Sequence, residues 1–161
     1  MAVQASQVRT TVKAPPSAVW KALTTLSTLK QFFFGSDVST DWRVGSPISF
    51  RGNWKGKPYE DKGNIQTFDR DERLAFTHWS PLSGMEDTPE NYHVVSFDLR
   101  PAKGATEVVL TQTNQNDAEP ITPENRQEYA KNWTMVLEGL KRAAEAVPPS
   151  ERPGVGAEAR P

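Results

Sequence analysis

The 161-residue chain contains no cysteine. That single absence excludes disulfides, thiolate nucleophiles and cysteine-ligated zinc, and it suits a reducing, cytoplasmic setting. Charge of one sign is also lacking, since 19 lysines and arginines face 20 aspartates and glutamates. With no strong positive field to gather them, neither nucleic acid nor an anionic membrane surface is expected as a partner. No apolar run approaches the roughly 20 residues that cross a bilayer, so no membrane insertion is expected. The opening stretch from Met1 to Gln7 has neither the basic nor the apolar region of a secretory leader. A Gly-rich phosphate loop, a Ser-His-Asp signature and an EF-hand spacing are all missing. Only two histidines are present, and no third ligand accompanies them, so neither a metal nor another cofactor is expected.

What is present is an informative order of elements. The length suits one domain with a real core. Val8 to Lys13 reads as a strand, stopped by Pro15 and Pro16, which cannot donate to a ladder and pre-set the start of a helix. Val19, Ala22 and Leu23 then recur at helical spacing. Ser27 is suited to cap a second short helix carrying Leu29, Phe32 and Phe33, which Gly35 ends. A series of short alternating runs follows. Ile48 and Phe50 share one face, and Trp54 to Pro58 turns the chain. Tyr59 to Phe68 is a long strand with Gly63 as a candidate bulge. After Asp69–Glu72 comes a strand from Arg73 to Trp79, then a loop to Asn91. Tyr92 to Arg100 and Thr106 to Asn114 make a hairpin.

That hairpin has two distinct faces. His93, Val95, Phe97 and Leu99 share one with Val108, Leu110 and Gln112; the other is more polar and reads as the wetted side of a sheet covered once. Thr122, Pro123 and Glu124 suit the start of a long helix. At 100° per residue, Tyr129, Trp133, Val136, Leu137, Leu140, Ala144 and Val147 fall on one stripe. From Pro148 onward the composition has nothing to bury, and a disordered tail is expected. The expected domain layout is an N-terminal extension over 1–7, one domain over 8–147 and the tail over 148–161.

Four segments carry a resemblance. Ala14–Leu23 (APPSAVWKAL) is similar to the opening helix of the START/SRPBCC superfamily, whose Bet v-like members share a helix-grip fold. The nearest likeness is to the branch named after the activator of heat-shock protein 90 ATPase. Gly63–Phe68 with Arg73–Trp79 resembles the central hairpin of that branch. Gly104–Thr111 resembles its last strand and Asn132–Lys141 its closing helix. The resemblance covers about residues 8 to 146. It implies an α+β helix-grip fold: a curved antiparallel β-sheet, two short N-terminal helices, and a long C-terminal helix over a cavity. It also implies binding of small hydrophobic or amphipathic molecules and, in some members, catalysis on them. Many members carry a histidine where this chain has Gln112, so no acid–base role is carried over to that position.

The candidate site follows from the inward faces. Phe76, Val95, Phe97, Leu99, Val108, Leu110, Trp133 and Leu137 read either as solid core or as cavity lining, with Tyr129 one turn before Trp133. A cavity lined by Phe76, Phe97, Leu110 and Trp133 is the working expectation, because an apolar pocket with a few polar groups is the usual ligand site. The polar residues at inward parity are His78, His93, Gln112 and Arg126. His78 and His93 end and begin consecutive strands, which suits a two-histidine metal site, an acid–base pair, or two rings at a frayed loop end that are solvated or hydrogen-bonded to backbone. A bulge would put Trp79 inward in place of His78. Arg126 suits a carboxylate anchor at the cavity mouth or a solvated stem. Met135, on the outer helix face, would suit contact with a second copy of the chain. Three functions stay open: a binding protein for a small apolar or amphipathic ligand, a partner-binding module of the chaperone-activator kind, and a cyclase- or hydrolase-type enzyme. The first accounts for most of the pattern, and it makes no call for catalysis.

Overall fold

The computed structural model describes residues 4–114 and 123–146. The element order is β1 (Gln4–Val12), α1 (Pro16–Leu23), α2 (Leu26–Phe32), β2 (Asp37–Ser39), β3 (Pro47–Trp54), β4 (Lys57–Asp69), β5 (Arg73–His78), β6 (His93–Ala102), β7 (Ala105–Asn114) and α3 (Pro123–Glu145). Two short 3₁₀ turns, Pro81–Ser83 and Pro89–Asn91, lie between β5 and β6. All seven strands form one antiparallel sheet in the order β1-β7-β6-β5-β4-β3-β2. The chain therefore has the α+β helix-grip architecture, with α3 packed along β1 and against α1 and α2. Among the described residues, no helix is long and apolar enough to cross a membrane.

Local chemistry explains the elements. Pro16 occupies the first turn of α1, where its missing N–H has no intrahelical role. Lys55 and Gly56 both hold positive φ, at 50° and 83°, and join β3 to β4 in the two-residue turn that matches strand twist. Gly63 serves a close approach: an added Cβ there would lie 1.6 Å from the Thr77 carbonyl oxygen. The register shift falls later, between Ile65 and Thr67, instead of at Gly63. Upstream of it, Tyr59, Asp61, Gly63 and Ile65 share the inner face; downstream, Phe68 turns inward to meet Trp20 edge-on at 5.0 Å.

Several boundaries move from the sequence reading. β1 begins at Gln4, inside the stretch assigned to an extension, because Gln4–Gln7 pair with Thr111–Asn114. β2 has no counterpart in the alternation, being three residues long. α2 starts after Thr25 instead of at Ser27, and Thr25 Oγ1 donates to the Lys21 carbonyl instead of capping. The outer face of the β6–β7 hairpin is only partly wetted. Val109 is buried there, between Arg9 and Asp98 in register. The cap at Thr122, the end of the stripe at Val147 and the tail from 148 lie outside the described residues.

The core is one cluster shared by the inner sheet face and the helices. Phe97, Leu110, Val95 and Val108 lie with Val136, Leu137, Leu140 and Ala144, all almost fully buried. At about 1.5–3 kcal/mol for each buried large side chain, this cluster dominates the stability. The edge strand β1 offers free carbonyls, and α3 uses them. Lys141 Nζ donates to the Thr11 carbonyl at 2.7 Å, and Glu145 accepts from the Lys13 backbone N–H at 2.7 Å. Gly139 lets α3 touch α2, since an added Cβ would lie 2.2 Å from the Phe32 Cβ.

Candidate functional site

Toward its N-terminus, α3 presents Tyr129, Asn132 and Trp133 to the sheet, and there the packing opens into a cavity of about 180 Å³. The residues after α2 supply Phe33, Phe34 and Ser36. The strands supply Phe50 from β3, Tyr59 and Asp61 from β4, His78 from β5 and Gln112 from β7. Wider surface depressions, such as one of about 560 Å³ beside Asp37, Arg51, Asn53 and Glu60, are bordered mainly by exposed charged and polar side chains.

Aromatic rings brace one another around this space. Phe33 stacks on Phe50 at 5.1 Å and meets Trp133 edge-on at 6.1 Å. Phe50 also meets His78 edge-on at 5.6 Å. Three pairs of polar lining groups are hydrogen-bonded. Trp133 Nε1–H donates to Gln112 Oε1 at 2.7 Å in a buried contact. The hydroxyls of Ser36 and Tyr59 share a hydrogen bond of 2.9 Å. His78 Nε2 lies 3.0 Å from Asp61 Oδ2, with both side chains largely buried. The other oxygen of that carboxylate, Asp61 Oδ1, is buried and has no hydrogen-bond partner among the described residues. A carboxylate that holds an imidazole in place is the arrangement used to accept and return a proton. Because both side chains line the cavity, a bound molecule would meet them.

Of the residues singled out in the sequence, His78, Gln112, Tyr129 and Trp133 come together at this cavity. Phe76, Val95, Phe97, Leu99, Val108, Leu110 and Leu137 belong to the close-packed core and do not line it. The expected wall of Phe76, Phe97 and Leu110 is thus displaced toward Phe33, Phe50 and Tyr59. Phe76 stands behind Phe50, with ring centroids 5.6 Å apart. His78 and His93 are register partners, yet their rings take different neighbours: His78 pairs with Asp61, and His93 packs edge-on to Tyr129 at 6.3 Å. His78 faces inward and Trp79 outward, because the extra residue of the register shift sits on β4, between Ile65 and Thr67, and leaves the alternation along β5 unbroken. Arg126 does not reach the cavity. It is exposed, and Nη1 donates to the Ala5 carbonyl of the edge strand at 2.7 Å. No group of three potential metal ligands is gathered among the described residues.

The lining residues missing from the sequence reading are Phe33, Phe34, Ser36, Phe50, Tyr59, Asp61 and Asn132. Asp61 carried a usable signal, since it shares inward parity with Tyr59 and Ile65 on one strand. Outside the cavity, Trp79 stacks on Tyr92 at 6.3 Å and donates to the Met85 carbonyl at 3.2 Å. Tyr92 donates to Asp87, and burial followed by that bond pushes its hydroxyl up to about 12. The bond from Lys62, then the one from Tyr92, holds the Asp87 carboxyl below its ordinary value.

Comparison with known proteins agrees with this architecture. The family model of the Activator of Hsp90 ATPase homolog 1-like protein matches residues 13–145. The solution structure of ChR145 from Cytophaga hutchinsonii is 43% identical over 88% of this chain and 94% of that one, with a TM-score of 0.74. The Aha1 dimer from Colwellia psychrerythraea is 24% identical over 91% of this chain and 98% of that one, with a TM-score of 0.67. Ara h 8.0201 shares the fold at 13% identity, covering 91% of this chain and 100% of that one, with a TM-score of 0.71. No match is found among curated proteins. A sheet wrapped on a closing helix, a family model spanning most of the chain and a relative of 43% identity lead to one assignment: the chain belongs to the Activator of Hsp90 ATPase homolog 1-like family.

Proposed function

We propose that the chain binds a small apolar or amphipathic molecule in the cavity between the N-terminal half of α3, the end of α2 and the inner face of the sheet. The observation that carries this reading is the coexistence of an aromatic wall with paired polar groups around about 180 Å³ of space. Apolar enclosures with a few placed polar groups are what small-molecule sites have in common. A cavity of roughly 150 Å³ is enough for one benzene ring, so the volume fits a ligand built on a single ring or a short branched chain.

The test uses Trp133 as reporter. Titration with benzyl alcohol should change its indole N–H resonance in a saturable way. The Trp133→Phe variant should keep the fold and bind the same probe several-fold more weakly through lost ring contact. Native mass spectrometry of protein purified from its own host should then reveal the resident molecule. A cavity that takes up no single-ring probe at any concentration short of denaturation would remove this reading.

A second reading, docking of a protein partner, is favoured by one observation. Phe34 and Met135, each 54% exposed, border the same groove between α2 and α3. The related protein from Colwellia psychrerythraea is a dimer, and a second copy of this chain is the partner proposed here. Sedimentation velocity across a wide concentration range should show reversible association that Met135→Glu abolishes. A wild-type protein that stays monomeric throughout would exclude it.

A further inference from the structure

Building on the binding reading above, we infer that the cavity selects a primary organic ammonium: a protonated amine carried on one small apolar or aromatic body. Three observations converge. The lining holds one carboxylate, Asp61, and neither lysine nor arginine. An anion entering this space would meet the Asp61 carboxylate and find no lysine or arginine to pair with. Asp61 Oδ2 is already engaged by His78, while Oδ1 is buried without a hydrogen-bond partner among the described residues. A buried acceptor left unmade is costly, so a ligand bringing a charged N–H donor gains twice, by Coulomb attraction and by satisfying that oxygen. A plain hydrocarbon would leave Oδ1 as it is and gain neither. The third observation is the surrounding ring set. Phe33, Phe50, Tyr59 and Trp133 enclose the same space, and aromatic π density attracts ammonium groups more strongly where water is displaced.

The pairing with His78 is consistent with this role. The imidazole holds the carboxylate through one oxygen and leaves the other for the ligand. The Ser36–Tyr59 hydrogen bond joins those two hydroxyls to each other. The Gln112–Trp133 bond likewise ties up the indole donor. Of the pairs around the cavity, the Asp61 carboxylate is the one with a buried atom still unsatisfied.

The experiment compares three probes of one ring and nearly one size at neutral pH: benzylammonium, benzyl alcohol and benzoate. Binding is read by calorimetry and by the Trp133 indole resonance in the intact chain. Benzylammonium is expected to bind about tenfold or more tighter than benzyl alcohol, and benzoate weakest. In Asp61→Asn, the advantage of benzylammonium over benzyl alcohol should vanish. Equal wild-type affinity for benzylammonium and benzyl alcohol, or tighter binding of benzoate, overturns the ammonium inference and leaves the cavity reading standing. So does a preference that survives in Asp61→Asn. Failure of all three probes removes the cavity reading itself. The wild-type comparison needs no variant, so a poorly folding Asp61→Asn protein leaves the inference open to refutation.

Discussion

The two halves of the interface between α3 and the sheet differ in chemistry. Toward the C-terminus of the helix, Val136, Leu137, Leu140 and Ala144 share one buried cluster with Val95, Phe97, Val108 and Leu110, and none of these lines the cavity. Toward the N-terminus, Tyr129, Asn132 and Trp133 border a space of about 180 Å³. Aliphatic side chains adjust their rotamers to fill gaps. Rings and hydrogen-bonded polar groups are directional, so once Phe33 has stacked on Phe50 and Trp133 has bonded to Gln112, neither is free to collapse into the remaining space. One fold thus holds a filled half that supplies stability and a half whose packing is left open.

The largest expected effect tests the packed half. Phe97→Ala should lower stability by about 3–5 kcal/mol in a denaturant melt, since Phe97 is fully buried. Trp133→Ala is a comparable truncation in the open half. It should cost clearly less, about 2 kcal/mol, because the ring already borders empty space. Equal losses at the two positions would erase the contrast and return Trp133 to the structural core. Trp133→Phe sharpens the comparison further. It keeps the ring but leaves Gln112 Oε1 without the indole donor, at a cost of about 1 kcal/mol.

Two smaller effects concern titrating groups near either end. At the packed end, the bond from the Lys13 backbone N–H, then the one from Lys141, holds the Glu145 carboxyl below its ordinary 4.5. Its contribution is therefore present above that value and is lost as pH falls through the lower folded value. Glu145→Gln should destabilise by about 0.5–1 kcal/mol at neutral pH, and the difference from wild type should shrink on acidification. At the open end, Tyr92 precedes His93 and its hydroxyl is pushed up from 10.0 to about 12, by burial first and by Asp87 second. A proton held more tightly in the folded state stabilises fully below 10 and progressively less up to 12. Wild type should lose this stability in alkaline melts between those values, and Tyr92→Phe should lack that part of the decline.

Much of the fold was legible from periodicity. The Val95, Phe97, Leu99 face and the Trp133, Leu137, Leu140 stripe follow from spacings of two and of 3.6, and both are buried. The candidate site was legible only in part. His78, Gln112, Tyr129 and Trp133 were marked by polar or aromatic character at inward parity. Phe33 and Phe50 looked like ordinary core on separate elements, since nothing in their local sequence says that they stack on each other. Arg126 lay on the right stripe, but a long stem lets its guanidinium reach the edge carbonyl of Ala5.

The sequence by itself determined which side chains face inward, because strand and helix periods are local properties of the backbone. Its balanced charge and absent cysteines also determined which chemistries lay out of reach. Tertiary structure alone decided where the interior is filled and where it is left open. That outcome depends on the register shift after Ile65, on the close approaches permitted at Gly63 and Gly139, and on the meeting of Asp61 with His78 across β4 and β5. Each is a relation between residues far apart in the chain, and a void is the remainder after all such relations are satisfied, so no local pattern encodes it.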